Sequence, residues 1–93
     1  MSVKVKFYSL FKINLKSSGE EYQIEGEITV NNLISMLDED YDGYFSQKLL
    51  DAGKISPGSI ILINGENVIH INGLASKIKD GDTVTLFPPS AGG

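Results

Sequence analysis

The residues of this 93-residue chain best suited to chemistry stand at its end, in Leu86-Phe87-Pro88-Pro89-Ser90-Ala91-Gly92-Gly93. Gly92 and Gly93 have no side chains, so they can thread a narrow channel and take backbone angles closed to other residues. The α-carboxyl of Gly93, with an ordinary pKa of about 3.3–3.7, is ionised at neutral pH and is a poor electrophile. It enters acyl chemistry only after activation, most simply as a mixed anhydride with AMP. The sequence has no glycine-rich phosphate loop with its lysine, so a second protein must supply the nucleotide site. Pro88 and Pro89 favour an extended polyproline path away from the body. From Pro88 the arm reaches about 18–20 Å at full extension. These residues describe a carrier or tag rather than a catalyst, although composition alone leaves a simple frayed end as the other reading.

Other constellations are weaker. Asp38, Asp40 and Asp42 occupy positions one, three and five of a calcium loop with Gly43 at six, but Leu49 stands where the chelating glutamate belongs. A solvated acidic helix end is the expectation there. His70 is the single histidine and cysteine is absent, so Ser-His-Asp and Cys-His catalysis and a histidine-rich metal site lack parts. No metal ligand set is assigned. The eight cations are all lysines, expected to solubilise the surface, and some are possible acceptors of an isopeptide bond.

Composition narrows the field further. A net charge of -4 with no arginine disfavours nucleic acid, whose binding depends on cationic neutralisation of phosphates. With 41% hydrophobic and 22% charged residues the chain has the profile of one folded domain. No apolar run approaches the roughly 18 residues of a membrane span, and the N-terminus lacks a signal-peptide core. The expected location is cytoplasmic, with which the missing cysteines agree.

The elements that must position the tail are legible from periodicity. Val3, Val5 and Phe7 alternate with Lys4, Lys6 and Tyr8 as a half-buried strand. The pattern lapses over Tyr8 to Gly19, then Tyr22, Ile24 and Ile28 suggest a second strand with a bulge at Gly26. Val30, Leu33, Ile34 and Leu37 fall on one helical face. Thr29 suits the N-cap, with Asn32 where a full capping box calls for Glu or Gln. Tyr44, Phe45, Leu49 and Leu50 suggest a short second helix filling the core. Ser59 to Ile63 reads as a buried strand ending in the Asn64-Gly65 turn. Val68, Ile69 and Ile71 read as another strand, and Leu74 and Ile78 as core plugs. After Asp80-Gly81-Asp82 turns the chain, Val84 to Phe87 forms the last strand, ended by the two prolines. The order β-β-α-(short helix)-β-β-β predicts an α+β fold: a mixed sheet of about five strands with one main helix on one face. Residues 1–87 form the domain and 88–93 the extended tail.

The ending resembles the Phe-Pro-Pro-x-x-Gly-Gly terminus of the MoaD/ThiS family of ubiquitin-like sulfur carriers, most of all its molybdopterin synthase small subunits. Ile61-Leu62-Ile63-Asn64-Gly65 and Lys79-Asp80-Gly81-Asp82-Thr83-Val84 match two turns of that family in the expected order. The likeness covers essentially the whole domain and implies a β-grasp fold. It also implies that Gly93 is adenylated by an E1-like enzyme of the MoeB/ThiF type, with ATP and magnesium supplied there and none bound by this chain. A sulfur donor of the cysteine desulfurase or rhodanese type would then convert the terminus to a thiocarboxylate. A large synthase subunit of the MoaE type would receive the sulfur for molybdenum or tungsten cofactor synthesis. Pro88, Pro89, Ser90, Ala91 and Gly92 would thread the partner's active site. Sulfur delivery to tRNA or thiamine, and conjugation through Gly93 to target lysines, use the same terminus.

Strand alternation adds a docking expectation. If Val84 and Leu86 face the core, Thr85 and Phe87 face outward, and an exposed aromatic beside a protruding tail is an interface anchor. The competing reading packs Phe87 on its own prolines. Where the family usually has an Arg-Glu pair after the first strand, this chain has Lys12-Ile13.

Overall fold

Alternation in the first strand resolves as expected. In β1 (Ser2–Phe7) the side chains of Val3, Val5 and Phe7 are buried, while Lys4 and Lys6 are exposed. The protein is described here by a computed structural model covering residues 1–89. β1 pairs antiparallel with β2 (Gly19–Gln23) and parallel with β9 (Thr83–Phe87). β9 pairs antiparallel with β6 (Ile60–Ile63), and β7 (Glu66–Asn67) completes a five-stranded sheet of order β2-β1-β9-β6-β7. The first and last strands of the chain are therefore central neighbours. Ribbons of β3 (Ile28–Thr29) with β8 (Lys77–Ile78), and β4 (Leu50–Asp51) with β5 (Lys54–Ile55), lie outside this sheet.

The main helix, α2 (Val30–Tyr41), lays Val30, Leu33, Ile34 and Leu37 on the inner face of the sheet, the arrangement of a β-grasp domain. Its capping box is complete despite the shorter side chain at Asn32. The Asn32 backbone N–H donates to Thr29 Oγ1 at 3.1 Å, and the Asn32 amide oxygen accepts from the Thr29 N–H at 3.0 Å. α2 runs on through Asp38 to Tyr41, so the calcium-loop spacing falls largely on helix. Asp42, in the left-handed region at φ 54°, ends it.

Two further helices close the core. α3 (Tyr44–Leu49) buries Phe45 and Leu49 as its apolar spacing requires. α1 (Leu10–Leu15) is absent from the periodicity reading, and it supplies the fully buried Phe11. Phe45 is the hub: its ring lies 5.1 Å from Phe7, 4.9 Å from Phe11, 5.3 Å from Tyr41 and 5.8 Å from Tyr44. Aromatic pairs at such spacings add to the stabilisation from area burial. Around them the chain reaches a radius of gyration of 12.1 Å.

Three strand expectations need correction. The second strand ends at Gln23; Gly26, at φ 64°, turns the chain between β2 and β3 rather than forming a bulge, and Ile28 pairs with Ile78 in a separate ribbon. Val68 to His70 is a 3-10 turn instead of a strand, capped where the Asn67 side chain accepts from the Ile69 N–H at 3.0 Å. Val68 is buried and Ile69 and Ile71 are exposed, so the apolar run does not share one face. β6 is half-buried rather than buried, since Ile60 faces out.

At the end of the sheet where β9 begins, the Asn64-Gly65 and Asp80-Gly81-Asp82 turns interlock. Buried Asp82 accepts from Asn64 Nδ2 at 2.9 Å and from the Lys79 backbone N–H at 2.9 Å, while the Thr83 N–H donates to Asn64 Oδ1 at 2.9 Å. Burial pushes the Asp82 carboxyl up, but these hydrogen bonds and the Lys79 ammonium outweigh it and hold the group below its ordinary 3.8. The ionised form is thus favoured in the folded state. Its contribution to stability is present above the unfolded pKa and is lost as pH falls through the folded value.

Two outcomes are expected. Phe45→Ala should cost about 3–5 kcal/mol in urea unfolding, since it removes the ring shared by four aromatic neighbours. Asp82→Asn should cost about 1–3 kcal/mol at pH 7, because an amide cannot accept on both sides. The gap from the unsubstituted protein should narrow in the same unfolding experiment at pH 3. A gap unchanged with pH would show that the carboxylate charge contributes nothing.

Candidate functional site

The site is assembled on β9. Val84 and Leu86 are fully buried, which turns Thr85 and Phe87 to the outer face, both half-buried. The Phe87 ring stacks on Tyr8, with centroids 5.2 Å apart and planes 17° from parallel. Ile60 is the register partner of Phe87 across the β6–β9 ladder. Tyr8 and Ile60 remain 41% and 39% exposed, so an apolar cluster stays open to solvent where β9 hands over to the prolines. Leu62 and Lys6 flank Thr85 on the two neighbouring strands, and exposed Lys4 lies beside Thr83. This surface offers a partner an aromatic centre with a cationic margin.

The alternation of the first strand places Tyr8 outward with Lys4 and Lys6, but neither its part in this cluster nor the outward turn of Ile60 is among the expectations from sequence. A signal for Ile60 was present, since it lies one step out of phase with the buried Ile61 and Ile63. The corner after Tyr8 is strained: Ser9 has φ 57° and ψ -134°, a region that L-residues rarely occupy. There the Tyr8 N–H donates to the Leu86 carbonyl at 3.2 Å, which ties this corner to β9.

Pro88 and Pro89 are half-buried and line a groove of about 470 Å³. Ser90, Ala91, Gly92 and Gly93, the remaining tail positions, lie outside the described residues. Lys12 and Ile13, in place of the family's usual Arg-Glu, are exposed on α1.

The competing positions have structural roles. Asp38 Oδ1 accepts from the Ser46 backbone N–H at 3.0 Å, and Asp40 Oδ2 accepts from the Tyr22 hydroxyl at 2.5 Å. The Tyr41 hydroxyl donates to Glu20, so two tyrosine–carboxylate bridges fasten α2 to β2. Burial, followed by these carboxylates, raises both phenols, Tyr41 to about 12. Among the described residues no group of three or more His, Cys, Asp or Glu side chains is placed to hold a metal. His70 is exposed on its 3-10 turn. No helix among the described residues is long and apolar enough to cross a membrane.

Known proteins resemble this chain in sequence and in fold. Residues 11–93 match the model of the ThiS family. Small archaeal modifier protein 3 of Haloferax volcanii is 31% identical over 93 residues, covering 100% of both chains. Sulfur carrier protein CysO of Mycobacterium tuberculosis is 41% identical over 70 residues, 70% of this chain and 72% of that one. Among solved structures, the Haloferax volcanii HVO 2177 protein superposes with a TM-score of 0.83 at 31% identity, covering 100% of this chain and 87% of that chain. The CysO/BexX complex of Amycolatopsis orientalis gives 0.77 at 26% identity, with 98% and 99% covered. A Pyrococcus furiosus protein assigned as subunit 1 of a molybdopterin converting factor gives 0.75 at 26%, with 97% and 99% covered. With the family model matching nearly the whole length and the sheet delivering its last strand toward a Gly-Gly ending, the chain belongs to the ThiS family of ubiquitin-like sulfur carriers, proteins that are not catalysts on their own.

Proposed function

We propose that this chain is the sulfur-carrying small subunit of a molybdopterin synthase, active in the cytoplasm. The observation that carries the reading is a central strand that ends in Phe87-Pro88-Pro89 beside the open Tyr8–Phe87–Ile60 cluster, followed in sequence by Gly92-Gly93. The cluster docks on the partner while the tail enters its active site. Desolvating an aromatic anchor at the centre of an interface supplies most of the affinity, and the lysine margin steers approach to an acidic rim.

In the first partner, an E1-like adenylating enzyme of the MoeB/ThiF type, the Gly93 carboxylate attacks the α-phosphorus of ATP and pyrophosphate leaves. Magnesium and the nucleotide are held by that enzyme. The outer sulfur of a persulfide on a desulfurase- or rhodanese-type donor then attacks the acyl carbon and AMP leaves. A thiol cleaves the resulting acyl disulfide, which releases the terminal thiocarboxylate and leaves a disulfide on the donor side. Gly92 lets the backbone pass where a side chain would block the channel. The large synthase subunit, of the MoaE type, takes the sulfur. The name of the Pyrococcus furiosus neighbour supports this destination.

A second reading has its own support. The full-length 31% identity with a small archaeal modifier protein favours conjugation, in which a target lysine amine attacks the same adenylated Gly93. Both uses start from one activated terminus, so the product distinguishes them.

The intact mass of the native protein, isolated without reductant, should contain a fraction in which one terminal oxygen at Gly93 is replaced by sulfur. Lysine-linked adducts of this chain in place of that fraction would favour the modifier. Removing Gly93 should abolish sulfur transfer with the melting temperature unchanged, and transfer retained by that variant would overturn the carrier mechanism. Tyr8→Ala should raise the KM for the carrier in the adenylation assay, with about 1 kcal/mol or less lost from stacking on Phe87.

A further inference from the structure

Beside the docking face, a groove of about 470 Å³ runs between α1 and α3, walled by Leu10, Asn14, Tyr44 and Lys48 and completed by Pro88 and Pro89. Its walls are fixed to each other and to the core. Asn14 Nδ2 donates to the Tyr44 hydroxyl at 3.2 Å, and the Tyr44 ring packs edge-on against fully buried Phe11 at 5.8 Å. The Lys48 ammonium sits 5.8 Å from the centroid of the same ring. Behind Pro89 stands Gly58, in the left-handed region at φ +87°, where a Cβ would lie 3.7 Å from both the Cα and the Cβ of Pro89. A side chain would meet the proline at ordinary contact distance, so the positive φ, not lack of space, is what favours glycine here.

We propose that Pro88 and Pro89 are positioning residues: seated in this groove, they carry the fixed part of the chain two residues beyond Phe87 and so shorten the arm that reaches the partner. The inference rests on the carrier reading above. Each proline ring locks φ near -65° and lacks an N–H, so the two-residue segment has few torsions of its own. Held against Gly58 and between α1 and α3, it behaves as an extension of β9. Four residues, Ser90 to Gly93, instead of six then remain to reach the partner, at most about 13–14 Å at full extension. A partner docked on Tyr8, Phe87 and Ile60 must place its reacting atom within that shorter distance. A short arm on a rigid base holds the carboxylate near the attacking geometry and limits the orientations it must search.

The test uses the full chain and the double variant P88G/P89G, which keeps the length of the arm and removes its stiffness. In the unsubstituted protein, nuclear Overhauser contacts should join the Gly58 α-protons to Pro89. With the cognate adenylating enzyme, measured by ATP–pyrophosphate exchange, kcat for P88G/P89G should fall about tenfold or more. KM should be unchanged because the docking face is intact. The amide shifts of β1, β2 and α2 should also be unchanged, while those of Leu10, Asn14, Tyr44, Lys48 and Gly58 move as the rings leave the groove. A purely structural role would disturb the core strands as well. Missing Gly58–Pro89 contacts, or a kcat within twofold of the unsubstituted chain, would overturn the seat. Failure of the unsubstituted chain to be adenylated would overturn the carrier reading and the positioning role with it. The Overhauser contacts would then still show whether the prolines are seated, separating the two failures.

Discussion

Everything in this molecule hangs on the pairing of β9. The last strand lies between β1, its parallel partner, and β6, its antiparallel partner, so both of its edges are hydrogen-bonded. A parallel neighbour requires a long crossover, and here nearly the whole chain between β1 and β9 serves as that crossover. The cost is a contact between the two ends of the domain, which must close before the core is complete. In return, the residue that leaves the sheet at Phe87 leaves from its most constrained strand. The lock at Asp82 and Asn64 sets where β9 begins, so its register, and with it the exit point five residues later, is fixed from the opposite end.

That register divides the side chains into two uses. Val84 and Leu86 face the helix and join the aromatic hub around Phe45, whereas Thr85 and Phe87 face outward. A slip of one residue would exchange the two sets, burying Phe87 and exposing Leu86. Packing and presentation are therefore the same constraint viewed from the two faces of the sheet. Tyr8 shares in it, because the strained backbone at Ser9 and the hydrogen bond to the Leu86 carbonyl hold the end of β1 over β9. The exposed aromatic pair is thus part of how the strands are joined, not an ornament added to the surface.

How much was legible follows from where burial is periodic. The α2 face and the alternation of β1 and β9 bury every second residue or one helical stripe, so sequence spacing alone places them. Phe11 escaped because α1 is a six-residue helix with one buried side chain, and Ile13 on the same helix is 68% exposed. One residue has no period. The Val68–Ile71 segment misled for the opposite reason: three apolar residues suggest a strand, yet only Val68 reaches the core and the Asn67 cap tightens the backbone into a 3-10 turn. Thr85 and Phe87 were legible as outward-facing, whereas the neighbours that complete the exposed cluster depend on pairings between distant strands, which no local pattern encodes.

The chain also shows how a carrier can do without catalytic groups. Sulfur chemistry on a cysteine thiolate would need a tuned pKa and protection from oxidation, whereas an acyl terminus is inert until a partner activates it. The folded body then has two tasks: to remain rigid and to present the start of the tail at a defined place. The aromatic hub and the two tyrosine–carboxylate bridges between α2 and β2 serve the first. β9, with its buried carboxylate at one end and its aromatic stack at the other, serves the second. In such a body the geometry rests on residues that carry no reactive group: Asn64 fixes where β9 begins, and Tyr8 stacks on Phe87 where it ends.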